Sequence, residues 1–183
     1  MTLSIFKYSL IIASMAFIFS ACMKDDNNSS NINTVNSTNG KTSALFNSTI
    51  TYDTMSDQDG NIYKTVTIGS QTWMAENLRT TRYNEGSSIP YVSGNDKWSA
   101  LTSGAYCNTG NTISDDTIAT YGRLYNWYAV NTGRLAPLGW HVPGMLEWMQ
   151  LIDYIDETAT AGIKLKEMGS LHWSWHHYAR STN

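Results

Sequence analysis

A polar tract near the N-terminus limits where this chain can form a core. Residues 27–43 read NNSSNINTVNSTNGKTS, and 13 of these 17 residues are Asn, Ser or Thr. The tract has no apolar periodicity, so burial cannot offset the entropy of ordering it. It predicts a flexible tether and leaves the packed core to the sequence beyond it. The aromatic residues agree: all seven tryptophans fall between Trp73 and Trp175, and no Phe follows Phe46. Trp and Tyr therefore supply nearly all the aromatic bulk, packing as hydrophobes while keeping a polar tip. At 183 residues there is room for about one domain. With 42% hydrophobic and 15% charged residues, the chain is too apolar to be disordered throughout. A net charge of −3 leaves no basic surplus for phosphates, which argues against a nucleic-acid partner. Two cysteines and four histidines exclude a multi-disulfide miniprotein and argue against a standard zinc module.

Upstream of the tract, one cation, Lys7, precedes an apolar run over residues 10–19. That run suits a secretory leader and is short of the roughly 20 apolar residues that span a bilayer. Phe19-Ser20-Ala21-Cys22 resembles a bacterial lipobox, with Phe19 in place of the usual Leu. The resemblance implies cleavage before Cys22, acylation of its thiol and of the new amine, and anchoring by two or more acyl chains. The alternative is an ordinary leader cut near Ala21. Lys24, Asp25 and Asp26 follow at once and resemble the signal that sends Bacteroidota lipoproteins to the outer face of the outer membrane. The alternative is a solvated charge cluster at the head of the tether. The expected organisation is a leader over 1–21, a lipidated Cys22 and disordered tether over 22–56, an ordered domain over 57–173 and a divergent tail over 174–183.

In the ordered part, Ile62, Val66 and Ile68 share one strand face, with Lys64 breaking the set. Gly69-Ser70 reads as a two-residue hairpin turn, returned by a strand over residues 71–74. Asp57, Asp59 and Asn61 invite a calcium loop, but the glycine at 60 and the Ile at 68 break the EF-hand pattern, and a turn is expected instead. Residues 80–118 predict a long loop region with one short strand around Ala105. Tyr121, Leu124, Tyr125 and Tyr128 have helical spacing, with a stop at Gly133. Pro143 suits a first helical turn, and Met145, Trp148, Ile152 and Ile155 form a second helical stripe. Residues 162–166 look extended.

Taken in order, WMAENL, YGRLYNWYAV and GWHVP, with flanking TVTIGSQ, GAYC and AGIKLKEMGSLHW, resemble the Fibrobacter succinogenes major paralogous domain over residues 57–173. That family occurs in secreted and surface lipoproteins. GWHVP leading into the Glu-Trp helix also resembles formylglycine-generating-enzyme-like proteins. This implies an α+β, C-type-lectin-like fold of two helices and short irregular strands. The family often carries a second Cys where this chain has Ala136, and the resemblance implies that it would pair with Cys107. Here that crosslink is lost, at a cost of a few kcal/mol. Gly144-Met145-Leu146 replaces the family's Thr or Ser cap and acidic residue, which weakens helix capping. The family continues through Gly- and Tyr-rich strands to a Trp-Trp-Ser-Ser motif that is absent here, so the resemblance implies a C-terminally incomplete domain.

Catalytic patterns are poor. There is no Gly-x-Ser-x-Gly elbow, His-Glu-x-x-His helix or phosphate loop. Cys107 alone cannot reproduce the copper-binding cysteines of the formylglycine-generating enzymes. His172 and His176, four apart beside His177, could share a metal only on a helix, and no metal or cofactor is expected. His141 is expected to hydrogen-bond loop backbone, and Glu76 and Asn77 to buttress the second strand. The expected function is a non-catalytic adhesion or binding module on the cell surface, with a glycan or a surface protein as partner. Loop aromatics Tyr91, Trp98 and Tyr106 are the candidate contacts. The Glu-Pro-Asn and Trp-Asn-Asp motifs of calcium-dependent lectins are absent. The alternative is a structural component of an envelope or extracellular assembly.

Overall fold

The computed structural model describes residues 7–9, 37–155 and 161–172. Its centre is the hairpin expected at Gly69-Ser70. Strands β3 (Ile62–Ile68) and β4 (Gln71–Met74) pair antiparallel with Ile68 opposite Gln71, and Gly69 takes φ +60 in the turn. β2 (Asp53–Ser56) pairs antiparallel with β3, and β1 (Lys7–Ser9) lies parallel to the other edge of β4. A second, two-stranded sheet joins β5 (Tyr106–Asn108) to β6 (Arg123–Tyr125). The helices are α1 (Asn95–Ser99), α2 (Asp115–Tyr121), α3 (Trp127–Val130), α4 (Met145–Ile155) and α5 (Ala161–Lys164). The architecture is mixed, with small sheets and short helices.

The hairpin buries both faces, against different partners. Tyr63 and Met74 join Leu78, Tyr83, Ile89, Leu135 and Trp140 in the main core. Val66 and Ile68 pack on the other side with Trp73, Trp148, Leu151 and Ile155. The expected apolar face is thus half right: Val66 and Ile68 are packed, whereas Ile62 is exposed. Helix α4 also turns differently from its expected stripe. Leu151 is fully buried, while Met145 and Ile152 face solvent. Trp148 rests on Trp73 with ring centroids 4.9 Å apart. Gln71 ties the same side of α4 to β4, its side-chain amide donating to Glu147 O and Gln150 Oε1.

The two helices implied by the resemblance are five among the described residues, and α1 and the start of α2 fall in the stretch 80–118 expected to be loop. Three further expectations are corrected. The segment with helical spacing from Tyr121 to Tyr128 is not one helix. Helix α2 stops at Gly122, the chain pairs as β6, and α3 begins after Asn126. Gly122 takes φ +67, and a Cβ there would lie 2.6 Å from Leu78 O and 2.7 Å from Asn77 Cβ. Gly122→Ala is therefore expected to cost at least about 1–3 kcal/mol from backbone strain alone. The check is the midpoint of denaturant unfolding; no shift would mean that the α2–β6 break does not need glycine. Next, residues 162–166 are not extended but largely lie in α5, which closes with Leu165 N donating to Ala161 O. Finally, residues 37–56, placed in the disordered tether, are tied to the domain although most of them are exposed. Thr38 is buried, Asn39 Oδ1 accepts from Ile62 N at 2.8 Å, and Ser43 N donates to Thr120 Oγ1 at 3.0 Å. Side-chain hydrogen bonds, rather than apolar burial, order this polar strap.

The turn expected at Asp57 is present. Asp57 Oδ1 accepts from the backbone N–H of Asp59 and Asn61, and Oδ2 from Asn61 Nδ2 and the Tyr63 hydroxyl. Asp59 is occupied too: it accepts from Thr81 Oγ1 at 2.9 Å and pairs with Arg82 at 3.2 Å. Burial first, then the neighbouring Asp57 charge, pushes the Tyr63 phenol well above its usual pKa, and burial does the same to Tyr125. The unfolded chain releases these protons at lower pH than the folded one. Their contribution is complete below about pH 10 and is lost as pH rises towards the folded-state values. The thermal midpoint should fall steeply above that point, and an unchanged midpoint at pH 11 would refute the burial argument.

Candidate binding face

The two-stranded sheet positions the aromatic candidates. Tyr106 N donates to Pro90 O, and Val92 N donates to Tyr106 O, each at 2.9 Å. These bonds lay Tyr91 alongside Tyr106 in a short parallel bridge. The Tyr91 and Tyr106 rings are 5.5 Å apart, and Tyr106 and Tyr125 are 6.3 Å apart. The row runs inward from the surface. Tyr91 is 46% exposed, Tyr106 is half-buried, and the Tyr125 hydroxyl donates to Thr80 O at 2.7 Å. The Arg123 guanidinium lies 4.8 Å from the Tyr106 ring centroid, within cation–π range. It is held by Nε donation to Arg79 O at 2.9 Å and by a bond to Asn108 Oδ1. Burial raises the Tyr106 phenol pKa, and the Arg123 charge opposes that rise. The result is a pre-set aromatic step with one solvent-facing ring and a fixed cation beneath it.

Of the three expected aromatics, the structure brings Tyr91 and Tyr106 together. Trp98 is half-buried on α1 and is not part of this ring stack. Tyr125 and Arg123 were missed, because the helical spacing of the segment concealed the strand that carries them. Cys107 lies between Tyr106 and Asn108 with its thiol buried, and Ala136 is buried as well. Cys22, Lys24, Asp25 and Asp26, together with His176 and His177, lie outside the described residues.

Other assignments become specific. Glu76 and Asn77, expected to buttress the second strand, bond elsewhere: Glu76 accepts from Lys64 N and so braces β3, while Asn77 Nδ2 donates to Thr120 O at the end of α2. His141, expected to bond loop backbone, also has a carboxylate neighbour. Its Nε2 lies 3.0 Å from Glu147 Oε1, and Glu147 Oε2 accepts from Gly144 N at 2.7 Å. Glu147 thus supplies the reach-back half of a capping box despite the missing Ser or Thr. His172 bonds Glu167 and Ser43. Among the described residues, no group of three or more His, Cys, Asp or Glu is placed to hold a metal ion, and no helix is long and apolar enough to cross a membrane.

These features define a small mixed α/β domain with an aromatic step on its second sheet. The chain belongs to the Fibrobacter succinogenes major domain family, whose profile matches residues 66–183. The matched span takes in residues 174–183, read from the sequence as a divergent tail. Neither the curated proteins nor the solved structures yield a match.

Proposed function

We propose that this chain is a surface-displayed lipoprotein whose aromatic step binds glycan, without chemistry at that face. Cleavage before Cys22, which removes β1 and leaves β4 as the sheet edge, gives Cys22 the lipid anchor, and Lys24, Asp25 and Asp26 direct the chain to the exterior of the outer membrane. The small sheets and short helices are compatible with a C-type-lectin-like arrangement. The observation that carries the reading is Tyr91, a large ring left facing solvent yet backed by Tyr106. A sugar ring can lie on such a face, where apolar C–H surface meets the π-system without ordering a flexible side chain.

The test is binding of the full chain to immobilised cell-surface polysaccharides. Tyr91→Ala is expected to weaken binding about tenfold, the scale of one aromatic contact, while Trp98→Ala has a smaller effect. No binding to any polysaccharide would sink the reading. A stoichiometric protein recovered by pull-down would favour the structural-component alternative.

A further inference from the structure

Outside the aromatic step, the strap brings Ser43 to Glu167 and His172, which stand five residues apart just after α5; Ser43 and His172 are 129 residues apart. Ser43 Oγ lies 3.1 Å from His172 Nε2, and His172 Nδ1 lies 2.8 and 2.9 Å from the two oxygens of Glu167. A carboxylate only accepts, so Nδ1 of the neutral ring carries the proton and Nε2 turns its lone pair to the serine. Thr120 Oγ1 is also 3.0 Å from Ser43 Oγ, but Thr120 donates its own proton to Asp116 O at 2.8 Å. The Ser43 proton therefore faces a hydroxyl oxygen and an imidazole nitrogen, and the nitrogen is the stronger base. Hydroxyl, then Nε2, then Nδ1, then carboxylate is the order by which a serine nucleophile is recognised on unrelated folds.

The surroundings hold this order in place. Leu45 N donates to Glu167 Oε1 at 2.7 Å, and Met168 N donates to Leu45 O at 3.1 Å. The Tyr121 ring meets the His172 ring edge-on at 5.5 Å. The His172 and Glu167 side chains are only 13% and 16% exposed, whereas Ser43 is open to solvent. Leu45, Tyr121 and Met168, all exposed, adjoin the cluster: Leu45 through its N–H on Glu167, Tyr121 through its ring on His172 and Met168 through its N–H on Leu45 O.

We propose that Ser43 is a nucleophile that accepts the acyl group of small apolar esters, with His172 as its base and Glu167 as the positioning residue. This goes beyond the binding reading, which assigns no chemistry to the protein. The Ser43 proton passes to His172 Nε2 as Oγ bonds to the ester carbonyl carbon. The bond to the alkoxy oxygen then breaks, and that oxygen takes the proton from Nε2 and leaves as the alcohol. Water repeats the sequence on acyl-Ser43, releasing the carboxylic acid and restoring the hydroxyl.

The experiment treats the full chain in detergent with a fluorophosphonate probe and locates adducts by peptide mass spectrometry. One adduct on Ser43 is expected, none with Ser43→Ala, and labelling about 100-fold slower with His172→Gln, the lower end of general-base contributions. Glu167→Gln should slow labelling less. Equal labelling rates in the unaltered chain and in folded His172→Gln would overturn the proposal and leave the cluster a structural clamp. A readout that needs no variant guards against misfolding: p-nitrophenyl butyrate should release a burst of one equivalent of nitrophenol and leave butyrate on Ser43. Absence of that acyl-serine would equally overturn it.

Discussion

Replacing Arg79 with Ala is expected to destabilise the domain by about 3–5 kcal/mol, the cost of breaking a buried charge pair from one side. Arg79 is 2% exposed. Its Nε donates to Thr38 Oγ1 at 2.7 Å, and Nη2 donates to Asn39 Oδ1 at 3.1 Å and to Ile62 O at 2.8 Å. The guanidinium stacks 4.3 Å from the Tyr63 ring centroid and stands 3.8 Å from the buried Glu76 carboxylate. Truncation strands that carboxylate and releases the strap over residues 37–43. Arg79→Lys should recover only part of the loss, because an ammonium cannot reproduce the planar fork. Denaturant unfolding gives the energy, and hydrogen exchange shows whether residues 38–43 lose protection. A change under about 0.5 kcal/mol, the usual range for surface sites, would show that the fork is not what holds the strap.

Trp73→Ala is expected to cost a similar amount, about 3–5 kcal/mol for emptying a buried aromatic site. Its effect should appear elsewhere. Trp73 is fully buried between the hairpin and α4, against Trp148 and Leu151. The amides of residues 145–155 should lose exchange protection while β5 and β6 keep theirs, since those strands pack with the other core. Trp73→Phe should cost less, because a smaller ring keeps part of the contact. Equal loss of protection in both sheets would show that the two cores unfold as one unit.

The two substitutions separate what was legible in the residues from what was not. Alternation and the glycine turn made the hairpin readable, because strand periodicity and turn geometry are local. The family was readable from WMAENL, YGRLYNWYAV and GWHVP, because each motif is contiguous in the chain. The candidate face was partly readable, since solvent-facing loop aromatics such as Tyr91 are visible as composition. Arg123 and Tyr125 were hidden because helical spacing also fits a helix stop, a three-residue strand and a new helix start. That choice was made by Gly122 and by pairing with β5, a partner about 17 residues away. The Ser43–His172–Glu167 cluster had no motif to find, because its members lie on segments that only the fold brings together.

The family, the hairpin with its turn, and the aromatic character of the ordered part are thus each set by neighbours close along the chain. Which hairpin face meets which core, which side of α4 is buried, and whether the polar strap is ordered all depend on the assembled fold. Those outcomes rest on partners distant in sequence. Arg79 shows the reason: its hydrogen bonds to Thr38 and Asn39 order a segment whose composition alone favours an open chain, because buried donors must find acceptors wherever the fold supplies them.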